Sequence, residues 1–121
     1  MAWNLNSDRP IYTQILEVIK MRIITGVYQP GEKIPSVREL AMQAGVNPNT
    51  MQKALSELER RGLVMAQRTS GRVVTEDMDM IGEVRNNLAK EQVHEFFVRM
   101  QELGYNRQEI MHLLEKEGEH E

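Results

Sequence analysis

The sequence predicts a mainly α-helical fold with one small β-hairpin, and three observations carry that reading. Apolar residues recur with helical spacing in five separate segments. Two short β-prone runs, Leu63–Gln67 and Arg72–Thr75, flank an Arg-Thr-Ser-Gly turn. Glycines, prolines and small polar residues fall where those segments should start and stop. With 121 residues, 40% of them apolar, the chain has material for one modest core and an appendage.

The first helix is expected over Arg9–Thr25. Pro10 suits its first position, and Ile11, Ile15, Val18, Ile19, Met21 and Ile23 form its apolar stripe. Gly26 stops it. The connector GVYQPGEKIP holds two prolines and two glycines and cannot extend a helix. A short second helix opens at Ser36, whose hydroxyl forms a capping box with the Glu39 carboxylate. Val37, Leu40 and Ala41 point inward, and Gly45 closes it. The third helix opens on Asn47 as N-cap with Pro48 next, where a missing N–H costs no helical bond. Met51, Ala54, Leu55 and Leu58 are its buried stripe and Gly62 its stop. The two β-prone runs then pair as a hairpin.

Beyond Thr75 the character changes. Met78, Ile81, Val84, Leu88, Val93, Phe96, Phe97, Met100 and Leu103 are spaced for a long helix ending at Gly104. Asn106, with Glu109 as its cap partner, starts a last helix with Ile110, Leu113 and Leu114 inward. A short loop between two helices makes an antiparallel pair. Two helices alone bury little, so the spare apolar stripe is expected to pair with a second copy of the chain. The candidate dimer residues are Ile81, Val84, Leu88, Phe96, Phe97, Met100, Ile110 and Leu114. The expected division is therefore residues 1–75, a domain of three helices and the hairpin, and residues 76–121, a helical dimerisation tail.

Charge supports the same division. The whole chain carries −3, but residues 1–75 hold ten basic against six acidic side chains, and residues 76–121 hold five against twelve. The basic part suits a polyanion, which the acidic part should avoid. There is no cysteine, hence no disulfide framework and no thiolate nucleophile or metal ligand. No apolar run approaches the roughly 20 residues of a membrane span, and MAWNLNSDRP has no signal-peptide pattern. The expected location is the cytoplasm.

Three short helices followed by a β-hairpin, with a tight link between helices two and three, form the plan of a winged helix-turn-helix. In that plan the third helix enters the DNA major groove with its first turn toward the base edges. This accounts for a helix that opens on Asn47, Asn49, Thr50 and Gln52, all polar and uncharged. Asn and Gln pair bidentately with adenine, and Thr serves several acceptors or the thymine methyl. Asn47 is first of all a cap, with base reading as a second role. For Lys53 either a phosphate or a guanine contact is open. Arg38, near the start of helix two, is placed for a base or a phosphate. Arg68 and Arg72 flank the Thr69–Ser70–Gly71 wing tip, where either can enter a minor groove or hold its phosphates. Solvated surface is the plainer reading of each side chain taken singly. Arg60 and Arg61 lie too far along the helix to reach bases.

The run GVYQPGEKIPSVRELA, Gly26 to Ala41, followed by GVNPNTMQKALSELERRGLV, resembles the GntR family of bacterial transcription regulators. The resemblance covers roughly residues 9 to 75. It implies DNA-facing roles for Arg38, Asn47, Asn49, Thr50, Gln52 and the wing glycine Gly71. The chain departs from many members in having Pro48 and Gln52 where they carry Arg, and Gly71-Arg72-Val73-Val74 where Gly-Thr-Phe-Val is usual. The short helical tail, with NPNT in the third helix and PIYTQI at the start, is similar to the YtrA-type subfamily. That likeness implies a homodimer on an inverted repeat, commonly repressing a transporter operon.

Other signals lead less far. His94 and His112 fall on different helices with no i,i+4 pair, and with His120 they are expected to be solvated or packed, so no metal site is expected. The tail carboxylates show no pair set for acid–base work, and no loop cradles a phosphate; neither an enzyme nor a cofactor is expected. Nine methionines, several in the tail, most often mean adaptable core filling, with a promiscuous drug or peptide groove as the sharper alternative. Trp3 is expected to pack the N-terminal arm onto the body, with a dimer contact as the alternative. A buried ligand pocket of a few hundred Å³ exceeds so small a tail, so a small-molecule effector would bind between subunits or be absent. The competing functional reading is a winged-helix module that binds protein or RNA without reading duplex sequence.

Overall fold

The computed structural model describes residues 3–68 and 71–119. Five helices and one hairpin follow in order: α1 (Ile11–Ile24), α2 (Val37–Ala44), α3 (Pro48–Arg60), β1 (Val64–Gln67), β2 (Gly71–Val74), α4 (Met78–Glu102) and α5 (Arg107–Gly118). The chain divides into two compact units, Met1–Gly82 and Glu83–Glu121, with the first turn of α4 belonging to the first.

Within the first unit, α3 packs on both α1 and α2. Its stripe of Met51, Ala54, Leu55 and Leu58 is buried, as are Ile15, Ile19 and Ile23 of α1 and Leu40 and Ala41 of α2. The α1 stripe runs one position wider than expected. Leu16 and Ile24 are buried, whereas Met21 is 49% exposed. Gln14 sits in that apolar face and is satisfied there. Its amide nitrogen donates to the carbonyls of Asn6 and Arg9, and its oxygen accepts from the Asn6 N–H at 2.9 Å. The N-terminal arm is thereby tied to α1, and the Arg22 guanidinium lies 4.6 Å over the Trp3 ring. Trp3 does pack the arm onto the body.

β1 and β2 pair antiparallel, with Val64 opposite Val74 and Gln67 opposite Gly71. Their bases are buried and their distal ends exposed, as a projecting wing requires. The tip residues Thr69 and Ser70 lie outside the described residues. The connector after α1 does more than turn. Gly31 donates to the Val74 carbonyl, Val74 donates to Glu32, and Ile34 donates to Arg72, so the connector forms a third edge on β2. This closes the β2 backbone groups facing away from β1.

In the second unit α5 begins with the expected capping box between Asn106 and Glu109. The Phe96 and Phe97 rings meet edge to face at 5.9 Å, and Arg107 of α5 lies 5.7 Å over Phe97. The tail stripe is less covered than its spacing suggests. Ile81 and Ile110 are buried within the single chain. Both serve as core of the single chain, Ile110 inward as expected. Leu113 and Leu114, expected inward, are exposed, as are Val93 and Leu103. One helix lying along another covers a single line of side chains and leaves the flanking lines open.

Candidate nucleic-acid interface

The turn between α2 and α3 fixes the interface. Ser36 and Glu39 form the reciprocal capping box that starts α2. Gly45 ends it in the left-handed region at φ 72°, where a side chain would be strained. The N–H groups of Gly45 and Val46 both donate to the Ala41 carbonyl. Two residues later the Asn47 carboxamide oxygen accepts from the Asn49 N–H at 2.7 Å and opens α3, with Pro48 at its first position. Every backbone step of the turn is thus anchored to one helix or the other.

With the apolar stripe of α3 buried, its polar face is presented outward. Asn49, Gln52 and Lys53 share that face at i, i+3 and i+4, and all three are exposed. Gln52 donates from its amide nitrogen to the Ser56 hydroxyl at 3.1 Å, which leaves its oxygen for another partner. Thr50 is half-buried. With Asn47, Trp3, Leu5 and Val46 it lines a shallow cleft of about 440 Å³ beside the N-terminal arm. Asn47 is exposed, but its oxygen is committed to the cap. Arg38 is exposed on the first turn of α2. Lys53 does not wave freely: its ammonium lies 4.4 Å from the centroid of the Tyr12 ring on α1.

On the wing, Arg68 is exposed and Gly71 adopts φ 80° with open space around it. Arg72 is held back. Its Nε donates to Glu59 Oε1 at 3.0 Å, and its side chain is only 16% exposed. Further along α3, Glu57 accepts from both Arg60 and Arg61. Those hydrogen bonds pull the Glu57 carboxyl down to about 2. The single Glu57 carboxylate is shared by both arginines, so the trio keeps one net positive charge at the C-terminal end of α3.

Sequence reasoning missed Gln14, Tyr12 and Glu59. A lone glutamine inside the apolar spacing of α1 was the available signal for the first. The other two act through side chains far away in sequence and left no local trace.

In the second unit, α4 and α5 line an open groove of about 820 Å³ with Val93, Phe97, Val98, Met111 and Leu114 along it and Lys90, His94 and Arg107 beside them. Among the described residues no group of three or more histidines and acids is arranged to hold a metal ion, and no helix is long and apolar enough to cross a membrane. His120 lies outside the described residues.

The family model for bacterial regulatory proteins of the gntR family matches residues 11–74, from the start of α1 to the end of β2. The chain belongs to the GntR family. It is 40% identical over 105 residues to the uncharacterized HTH-type transcriptional regulator YhcF of Bacillus subtilis, covering 87% of each chain. It is 39% identical over 93 residues to the HTH-type transcriptional repressor YtrA of the same organism, covering 76% of this chain and 72% of that one. A solved GntR family transcriptional regulator from Listeria monocytogenes superimposes with a TM-score of 0.85 at 38% identity, covering 93% of this chain and 98% of that chain. As a GntR regulator the chain is a DNA-binding protein of a family of transcription regulators, not of enzymes, and the matched segment runs from α1 through β2 and so contains Arg38, the face of α3 and the wing.

Proposed function

We propose that the chain is a repressor that binds an inverted-repeat operator as a homodimer. The observation that carries this reading is the exposed polar face of α3, held outward by the buried stripe behind it. Asn49 and Gln52 are the base readers, suited to adenine. Arg38, Lys53 and Arg68 meet phosphates or base edges, and Gly71 lets the wing tip approach the backbone. Asn47 serves mainly as the cap, with its amide nitrogen turned to a base. Arg72 contributes less, because Glu59 already balances its charge.

The hairpin is the dimerisation element. Leu114 is 42% exposed, and Val84, Leu88, Phe96, Phe97 and Met100 are half-buried, an apolar surface that a second copy would cover. Pairing of two tails would set two α3 helices into successive major grooves about 34 Å apart. Repression follows by occupying a site that overlaps a promoter. The match to the repressor YtrA favours repression, and the YtrA-type likeness of the sequence favours a transporter-type operon as target and the cytoplasm as the place of action. If an effector exists, it binds between the paired tails.

Selection of genomic fragments on the purified protein, followed by titration of the recovered duplex and a scrambled one across salt, tests the proposal. A sequence reader keeps a large preference for the recovered inverted repeat while affinity falls steeply with salt. Equal binding to both duplexes would replace it with a protein- or RNA-binding module.

A further inference from the structure

We propose that Tyr12, on α1 and outside the recognition helix, is a positioning residue for DNA binding: its ring face holds the Lys53 ammonium in place for a phosphate. The proposal rests on the DNA-binding function argued above. Lys53 follows Gln52 directly and lies one turn beyond Asn49, at the edge of the outward face of α3. Its Nζ stands 4.4 Å from the Tyr12 ring centroid, well inside the range of a cation–π contact. Tyr12 is half-buried at the start of α1, the helix on which α3 packs, so its ring is a fixed surface and not a mobile arm.

The chemistry explains why such a rest should matter. A free lysine has four rotatable bonds, and ordering them on a phosphate opposes binding. An ammonium resting on an aromatic face keeps its charge and its outward N–H donors, because the ring occupies only one side. Much of that ordering is then complete before DNA arrives. Lys53 remains exposed, so nothing blocks the phosphate side. Tyr12 and Lys53 are 41 residues apart, which is why no local pattern reveals the pair.

The test uses the full chain in a double-mutant cycle of Tyr12→Leu and Lys53→Ala, with Tyr12→Phe as the conservative variant. The probe is the inverted-repeat duplex recovered by genomic selection. Tyr12→Leu should weaken binding about two- to fivefold, the range an exposed cation–π contact supplies. It should leave the salt dependence nearly intact, whereas Lys53→Ala lowers the salt slope by about one. Tyr12→Leu should add nothing in the Lys53→Ala background, and Tyr12→Phe should restore most of the affinity. In the free wild-type protein, the ε-methylene protons of Lys53 should show an upfield ring-current shift in NMR, lost in Tyr12→Leu.

An undiminished effect of Tyr12→Leu on Lys53→Ala overturns the proposal, as does a Tyr12→Phe variant as weak as Tyr12→Leu, which would assign the role to the hydroxyl. Absence of the ring-current shift also overturns it. A wild-type chain that binds no duplex removes the DNA-binding reading along with it. A wild type that binds while the cycle shows no coupling removes this proposal alone.

Discussion

Asn47 holds two jobs that a single residue change can separate. Its side-chain oxygen caps α3 by accepting the Asn49 N–H at 2.7 Å, and its amide nitrogen is the group proposed to face a base. Asn47→Ala removes both. The lost cap leaves one backbone donor of the first turn without its acceptor, a loss of about 1 kcal/mol in typical helices. For a DNA-binding unit of this size that corresponds to a melting temperature lower by about 4–8 °C. Asn47→Ser keeps a capping oxygen and removes the amide, so its melting temperature should stay close to wild type. Its affinity for the recovered operator should nevertheless fall by about 1–3 kcal/mol, with relaxed preference at one base pair. Thermal melting followed by circular dichroism and operator titration on the same three proteins provide both readings. Wild-type affinity for Asn47→Ser would reduce Asn47 to a cap. A Ser variant that melts as low as the Ala variant would refute the capping argument itself.

Further outcomes follow from the contacts around the interface. Gln52→Ala should lower operator affinity by about 1–3 kcal/mol and relax preference at one position, and an equal loss on every duplex would deny it a base-reading role. Arg72→Ala should lower the salt slope by clearly less than one, because Glu59 already neutralises the guanidinium; a full unit would show that DNA draws it away. Glu57 titrates well below its usual range in the fold, to about 2. Its contribution is present above the unfolded carboxyl value, about 4.3, and is lost as pH falls from there through about 2. Glu57→Gln should therefore flatten the loss of stability in acid urea titrations across that window, and an unchanged acid limb would contradict the pairing. A chain ending at Gly82 should be more stable to urea than one ending at Thr75 by about 1.5–3 kcal/mol, the worth of burying Ile81. Both fragments should sediment as monomers, and a dimeric fragment would move the dimer contact out of the tail.

What the sequence revealed was chemistry confined to a few neighbouring residues. The Ser36–Glu39 and Asn106–Glu109 boxes, the Asn47–Pro48 start and the Gly45 stop all depend on groups within four positions, and all formed as expected. The buried stripe of α3 was legible for the same reason, since its period is local. Contacts chosen at long range were not. The connector Gly31–Ile34 reads as a turn, yet it becomes a third edge on β2 because that strand's open side needs partners. Lys53 and Arg72 look like free cations in the sequence, and each rests against a group on another element. The tail stripe was legible as a period and as a stripe that two helices cannot cover, but Leu113 and Leu114, expected inward, are exposed.

The anchored joint between α2 and α3 also limits how this protein can change its target. Only Gly45, Val46 and Asn47 separate the two helices, and each is bonded to a neighbouring turn. One extra residue there would have to displace the Gly45 and Val46 bonds to the Ala41 carbonyl or the Asn47 cap, while the buried stripe would still decide which face of α3 points outward. New operator preferences are therefore reachable by exchanging side chains on a fixed frame, whereas a change of length in the joint disturbs the frame itself.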